Sequence, residues 1–149
     1  MTRKKHQLSA DSIVVNGDFS DEANGWTMNA YGSTAQIIDG AAQLTNGGSA
    51  SQSVAIATGT PSCQFSYAYQ LQYTGASAHV VVQAGSGTLY EKDLTDVASW
   101  RTVTETLSPA STDGQLTLTF QGNGGQCDFD NVKLTGKKPA GPVPRHARH

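Results

Sequence analysis

An all-β fold, two antiparallel sheets packed as a sandwich, is predicted by three observations. Polar and apolar residues alternate with a period of two over several stretches. These stretches are separated, at intervals of roughly eight to twelve residues, by Gly, Asn, Asp and Pro. No segment sustains a helical period. One stripe of each candidate strand is apolar and the other polar, so each sheet should turn one face to a core and one to water.

The elements follow in chain order. Residues 13–15, Ile-Val-Val, are the first short candidate, and 35–38, 41–45 and 51–57 follow, divided by Asp39-Gly40 and Asn46-Gly47-Gly48. The clearest strand comes next: Phe65, Tyr67, Tyr69, Leu71 and Tyr73 share one side, while Gln64, Ser66, Ala68, Gln70 and Gln72 share the other. Gly59-Thr60-Pro61 precedes it and Gly75 follows it, both suited to tight bends. Residues 79–84, 88–94 and 100–107 are weaker candidates, with Gly85-Ser86-Gly87 between the first two. In 115–121, Leu116, Leu118 and Phe120 oppose Gln115, Thr117, Thr119 and Gln121. The last strand follows Asn123-Gly124-Gly125 and places Asp130, Val132 and Leu134 on the face expected to point inward. This makes about ten short strands, close to what a sandwich of one domain needs.

Charge divides the 149 residues into a body and two ends. Residues 11–136 hold three cations and twelve acids, a net −9, whereas residues 1–10 and 137–149 together carry +7. The reading is a β-sandwich domain at 11–136 between a basic N-terminal tail (1–10) and a Pro-rich basic C-terminal tail (137–149), both expected to be disordered. An acidic body argues against nucleic acid, whose binding draws on clustered Lys and Arg. No apolar run approaches the roughly 18 residues of a membrane-spanning helix, so membrane insertion is not expected. The positive start MTRKKHQLSA is not followed by the apolar segment of a secretory signal. Location is therefore left open, with an extracellular or particle-associated protein among the expectations.

At the two ends of the body the residues become recognisable. Asn16-Gly17-Asp18-Phe19-Ser20 with Asn24-Gly25-Trp26, and Cys127-Asp128-Phe129-Asp130-Asn131-Val132-Lys133-Leu134, resemble the first and last segments of carbohydrate-binding modules with a galactose-binding-like jelly-roll fold. Ser51-Gln52-Ser53-Val54, the aromatic strand from Phe65 and Ser99-Trp100 are similar to the group's middle strands in order and spacing. The resemblance implies a non-catalytic, lectin-like module that binds a glycan or polysaccharide and is attached to something larger through oligomerisation or a partner. A structural or interaction module of the same fold, on a virion, particle or cell surface and without a sugar site, is the alternative. The resemblance also implies calcium near the junction of first and last strands, with Asp130 as ligand. Ser20 stands where the group has Glu, so Asp18, Asp21 or Glu22 would supply the second carboxylate.

Sugar recognition needs flat apolar surface for the ring's C–H faces and polar groups for its hydroxyls. Gln70, Gln72, Gln83, Gln115, Gln121 and His79 fall on the polar stripes and would form a cleft if their strands share one concave sheet. Tyr31 and Tyr90, in glycine-flanked or polar stretches, are the platform candidates, whereas Tyr67 and Tyr69 belong to the core stripe. The resemblance places Trp26 and Trp100 at packed positions. Catalysis has little footing. Glu91/Asp93 and Asp128/Asp130 are neighbours on a strand rather than carboxylates across a cleft, His79 has no nucleophile elbow to serve, and a small hydrolase ranks third. Cys63 and Cys127 each begin a strand: on antiparallel neighbours these starts lie at opposite ends, beyond disulfide reach, whereas strands crossing between sheets could be bridged, and the resemblance favours the first arrangement and free thiols.

Overall fold

A computed structural model describes residues 12–29, 34–57, 62–71, 75–84, 87–95, 98–108 and 114–135. The basic ends 1–10 and 137–149, Tyr31 and Gln72 lie outside the described residues. Ten strands form: β1 Thr27–Asn29, β2 Thr34–Ile38, β3 Ala41–Thr45, β4 Ser49–Ala55, β5 Cys63–Leu71, β6 Ser77–Ala84, β7 Gly87–Leu94, β8 Ala98–Leu107, β9 Gln115–Gly124 and β10 Gln126–Leu134. They make two five-stranded sheets, ordered β1-β4-β9-β6-β7 and β2-β3-β10-β5-β8. Every strand pairing is antiparallel. No helix occurs among the described residues, and the predicted sandwich is the observed fold.

The core is where the apolar stripes meet. Phe120 of β9 reaches across to the other sheet, with ring centroids 4.7 Å from Phe129, 5.6 Å from Tyr67 and 6.2 Å from Phe65. Burying each such ring contributes about 1.5–3 kcal/mol. Tyr67 is fully buried with its hydroxyl, which must therefore find a partner inside. The partner is Tyr90 Oη at 2.8 Å. Cys63 and Cys127 are buried free thiols on β5 and β10, which are antiparallel neighbours as expected.

Two local expectations are corrected. Residues 13–15 form no strand: Ser12 makes an isolated bridge to Thr135, Ile13 N donates to Leu134 O at 2.8 Å, and Val15 then bonds to a side chain. Gln52, buried on the inner face of β4, accepts from Val15 N at 2.7 Å and donates to Val15 O at 3.0 Å, so one amide does the work of a neighbouring strand. The strand that does open this sheet, β1, has no apolar stripe to reveal it. In β10 the register shifts between Asp130 and Lys133, with Asn131 at φ 50°. This bulge inserts a residue and changes the phase of the strand, so Phe129 and Val132 both face the core and Asp130 does not point inward.

The sheets approach closely at one end of β9. A Cβ on Gly122 would lie 2.6 Å from the Leu44 carbonyl oxygen, and Gly122 N donates to Gly48 O at 2.9 Å. Only glycine fits this contact.

Candidate functional site

One cross-strand row spans the outer face of the second sheet. Gln36 of β2 is opposite Gln43 of β3, Gln43 is opposite Asp128 of β10, and Asp128 is opposite Gln70 of β5. Between the Tyr69↔Arg101 and Leu71↔Ala98 pairs the β5–β8 register shifts, which puts Ser99 and Trp100 beside Gln70. Residues of one row on one face lie about 5 Å from their neighbours, close enough for side chains to touch. A groove of about 360 Å³ opens over this row, lined by Ile38, Asp39, Ala41, Gln43, Gln70, Trp100, Gln126 and Asp128.

Asp128 is the centre of the groove's polarity. It is 7 % exposed, and a carboxylate so placed must be hydrogen-bonded. Gln70 Nε2 donates to Oδ2 at 3.1 Å and Gln126 Nε2 donates to Oδ1 at 3.2 Å. Both amides are thereby oriented, because a nitrogen committed to the carboxylate turns its own amide oxygen the other way. Trp100, 44 % exposed, and Ile38, 39 % exposed, add apolar surface to the same groove. The lining contains two carboxylates, Asp39 and Asp128, and no Lys or Arg. Such a surface can face sugar C–H groups with an indole and answer hydroxyls with amides, and it repels anions.

Of the described residues among those expected to bind, only Gln70 lies in this groove. The single concave sheet that would have gathered the others is not what forms. His79 and Gln83 are on β6, and Gln115 and Gln121 are on β9, so they lie on the outer face of the opposite sheet. There His79 pairs with Gln121 across the ladder, and its ring bridges Asp93 and Glu91, with 3.0 Å to Glu91 Oε2. Tyr90 is not an open platform. Its ring packs 5.6 Å from Phe65 in a T-shaped contact, its hydroxyl serves Tyr67, and burial raises its phenol pKa.

Trp100 and Asp128 are the residues that sequence reasoning missed. Trp26 packs as the resemblance implies, 5.1 Å from Phe19 and 7 % exposed, but Trp100 does not. The irregular β5–β8 register decides this, and a register shift has no signal in a single strand's pattern. Asp128 is legible only in part: Gln126, Asp128 and Asp130 share a parity, but their neighbours Gln43 and Gln70 are known only once strand order is known.

The calcium implied by the resemblance meets a thin donor set. Asp18 Oδ1 accepts from Ser20 N at 3.0 Å, and Asp130 Oδ1 accepts from Asn131 N at 2.7 Å. Among the described residues no group of three His, Cys, Asp or Glu side chains is arranged to hold a metal ion. A calcium shell takes six to eight oxygens, backbone carbonyls among them and usually several carboxylates.

No protein-family profile and no curated protein matches the chain. Solved structures do match. A family 4 carbohydrate-binding module superposes with TM-score 0.67 at 17 % identity, covering 83 % of this chain and 99 % of that one. A family 61 module, determined in complex with β-1,4-galactotriose, gives 0.65 at 16 % identity over 85 % and 99 %. A family 16 carbohydrate-binding module, module 2, gives 0.61 at 15 % identity over 83 % and 99 %. At such identities the likeness establishes the fold: the chain has the jelly-roll sandwich of carbohydrate-binding modules.

Proposed function

We propose that the protein binds a neutral glycan, without transforming it, in the groove of the β2-β3-β10-β5-β8 face. The observation that carries this reading is the row Gln43–Asp128–Gln70–Trp100, in which the buried Asp128 carboxylate fixes the amides of Gln70 and of Gln126, two residues before it on β10, beside an exposed indole. Structural neighbours that are themselves carbohydrate-binding modules, one holding β-1,4-galactotriose, support it. Asp128 orients rather than transfers protons in this account, since both its oxygens already accept amide hydrogens. Two carboxylates with no cation among the lining residues favour neutral over anionic chains.

Affinity electrophoresis against neutral polysaccharides, β-1,4-galactan among them, with pectate as the anionic control, tests the proposal. Saturable retardation by a neutral chain is expected, with no reducing ends released and with loss of retardation in Gln70→Ala. Silence across the panel, or retardation that Gln70→Ala leaves intact, would sink it. The former would favour a structural module of the same fold.

A further inference from the structure

The open edge of the second sheet carries a self-complementary pattern. We propose that β8 pairs antiparallel with β8 of a second copy of this chain, centred on Val103, to give a two-fold dimer. β8 ends the order β2-β3-β10-β5-β8, and among the described strands none pairs with its outer side. At ten residues it is the longest of the four edge strands, against three for β1, five for β2 and eight for β7. A long unpaired edge is a ready template for another strand.

The hydrogen-bonding phase of that edge follows from β5. Gln64 O accepts from Thr135 N at 2.9 Å, so the backbone groups of Gln64 and its alternate residues point to the β10 side. Those of Phe65, Tyr67 and Tyr69 therefore point to β8, where they meet Glu105, Val103 and Arg101. The N–H and C=O groups of Thr102, Thr104 and Thr106 are left facing outward at the open edge. Pairing about Val103 sets Thr102 opposite Thr104 of the second copy, and Thr104 opposite its Thr102, as hydrogen-bonded pairs.

The same register pairs the charges. Arg101 falls opposite Glu105 of the second copy, and Glu105 opposite its Arg101, both at positions without backbone bonds, where side chains come closest. Val103, partly buried against the core, meets its own copy on the two-fold axis. Charges on the core-side parity of an edge strand discourage unrelated strands, whereas this register turns them into two opposite-charge pairs. Centring the pairing on Thr102 or Thr104 instead loses both pairs. β7 offers no comparable match: its one cation is Lys92, and pairing about it sets Glu91 opposite Asp93, acid against acid. The dimer would place two groove faces on one continuous sheet, which favours polymeric ligands through avidity.

Sedimentation equilibrium of the full chain tests this. Apparent mass should rise from 15.6 kDa toward twice that value at concentrations on the order of 100 µM. Glu105→Arg should weaken association at least about tenfold, and adding Arg101→Glu should restore it, because the two charges are exchanged. Thr104→Pro should abolish the dimer while leaving the β5 ladder whole, since it removes only an outward N–H. A mass of 15.6 kDa at every concentration, or a dimer indifferent to both Glu105→Arg and Thr104→Pro, would overturn the proposal.

Discussion

Replacing Trp100 by Ala should weaken glycan binding about tenfold and leave folding nearly intact. A Trp side chain carries up to about 250 Å² of surface. With 44 % of it exposed, Trp100 offers on the order of 100 Å² to a ligand. A pyranose ring lying on the indole would cover about half of that, and at about 25 cal/mol per Å² the contact is worth about 1.3 kcal/mol, close to one decade in Kd. Titration calorimetry gives the Kd ratio directly. Tryptophan fluorescence gives a second readout, because Trp26, the only other tryptophan, is 7 % exposed and packed on Phe19 and Phe120. A ligand-dependent emission change should therefore disappear in Trp100→Ala. An unchanged Kd, or an emission change that survives the substitution, would refute the assignment of Trp100 as the platform.

Gly122→Ala should cost about 1–3 kcal/mol in urea unfolding, because the new Cβ meets the Leu44 carbonyl rather than a side chain that could swing away; an unchanged midpoint would deny the close approach. Burial pushes the Tyr67 phenol and the Cys127 thiol up from 10.0 and 9.0. The folded state then keeps protons that the unfolded chain gives up, so the stabilisation is fully present below about pH 9 and is lost as pH rises, by about 1.4 kcal/mol per pH unit per group. Tyr67→Phe should flatten the part of that slope above about pH 10 in denaturant titrations, and identical slopes would contradict it. Calcium held as the resemblance implies should raise Tm by several degrees at millimolar ion, a rise that Asp130→Ala removes, and an unchanged Tm would deny the ion.

How far the sequence could be read depended on whether the determining contact was local. The aromatic alternation from Phe65 to Leu71 and the Leu116-Leu118-Phe120 stripe are properties of single strands, and both became core. The separation of Cys63 from Cys127, which stands opposite Leu71 at the other end of β5, depends on β5 and β10 being antiparallel neighbours, and the resemblance rather than either strand's own pattern supplies that adjacency. Sites depend on which strands become neighbours. Gln70 was legible as an outward amide, but its partner Asp128 lies fifty-eight positions away and their meeting needs the sheet order. Gln52 belongs to the Ser51-Gln52-Ser53-Val54 stretch that resembles a middle strand, and nothing in that stretch shows that it is buried and holds Val15 by both amide atoms. The bulge at Asn131 and the shifted register near Trp100 each changed which way a side chain points, and backbone irregularities of that kind leave little trace in an alternating pattern.

The groove itself is most directly tested by following side-chain amides in a nitrogen-15 correlation spectrum during titration with a retarding glycan. The amide groups of Gln43, Gln70 and Gln126 and the indole N–H of Trp100 should shift together and saturate at one Kd, while those of Gln83, Gln115 and Gln121 on the opposite face stay still. Shifts confined to the Gln115 and Gln121 face, with Gln70 and Trp100 unmoved, would contradict the account.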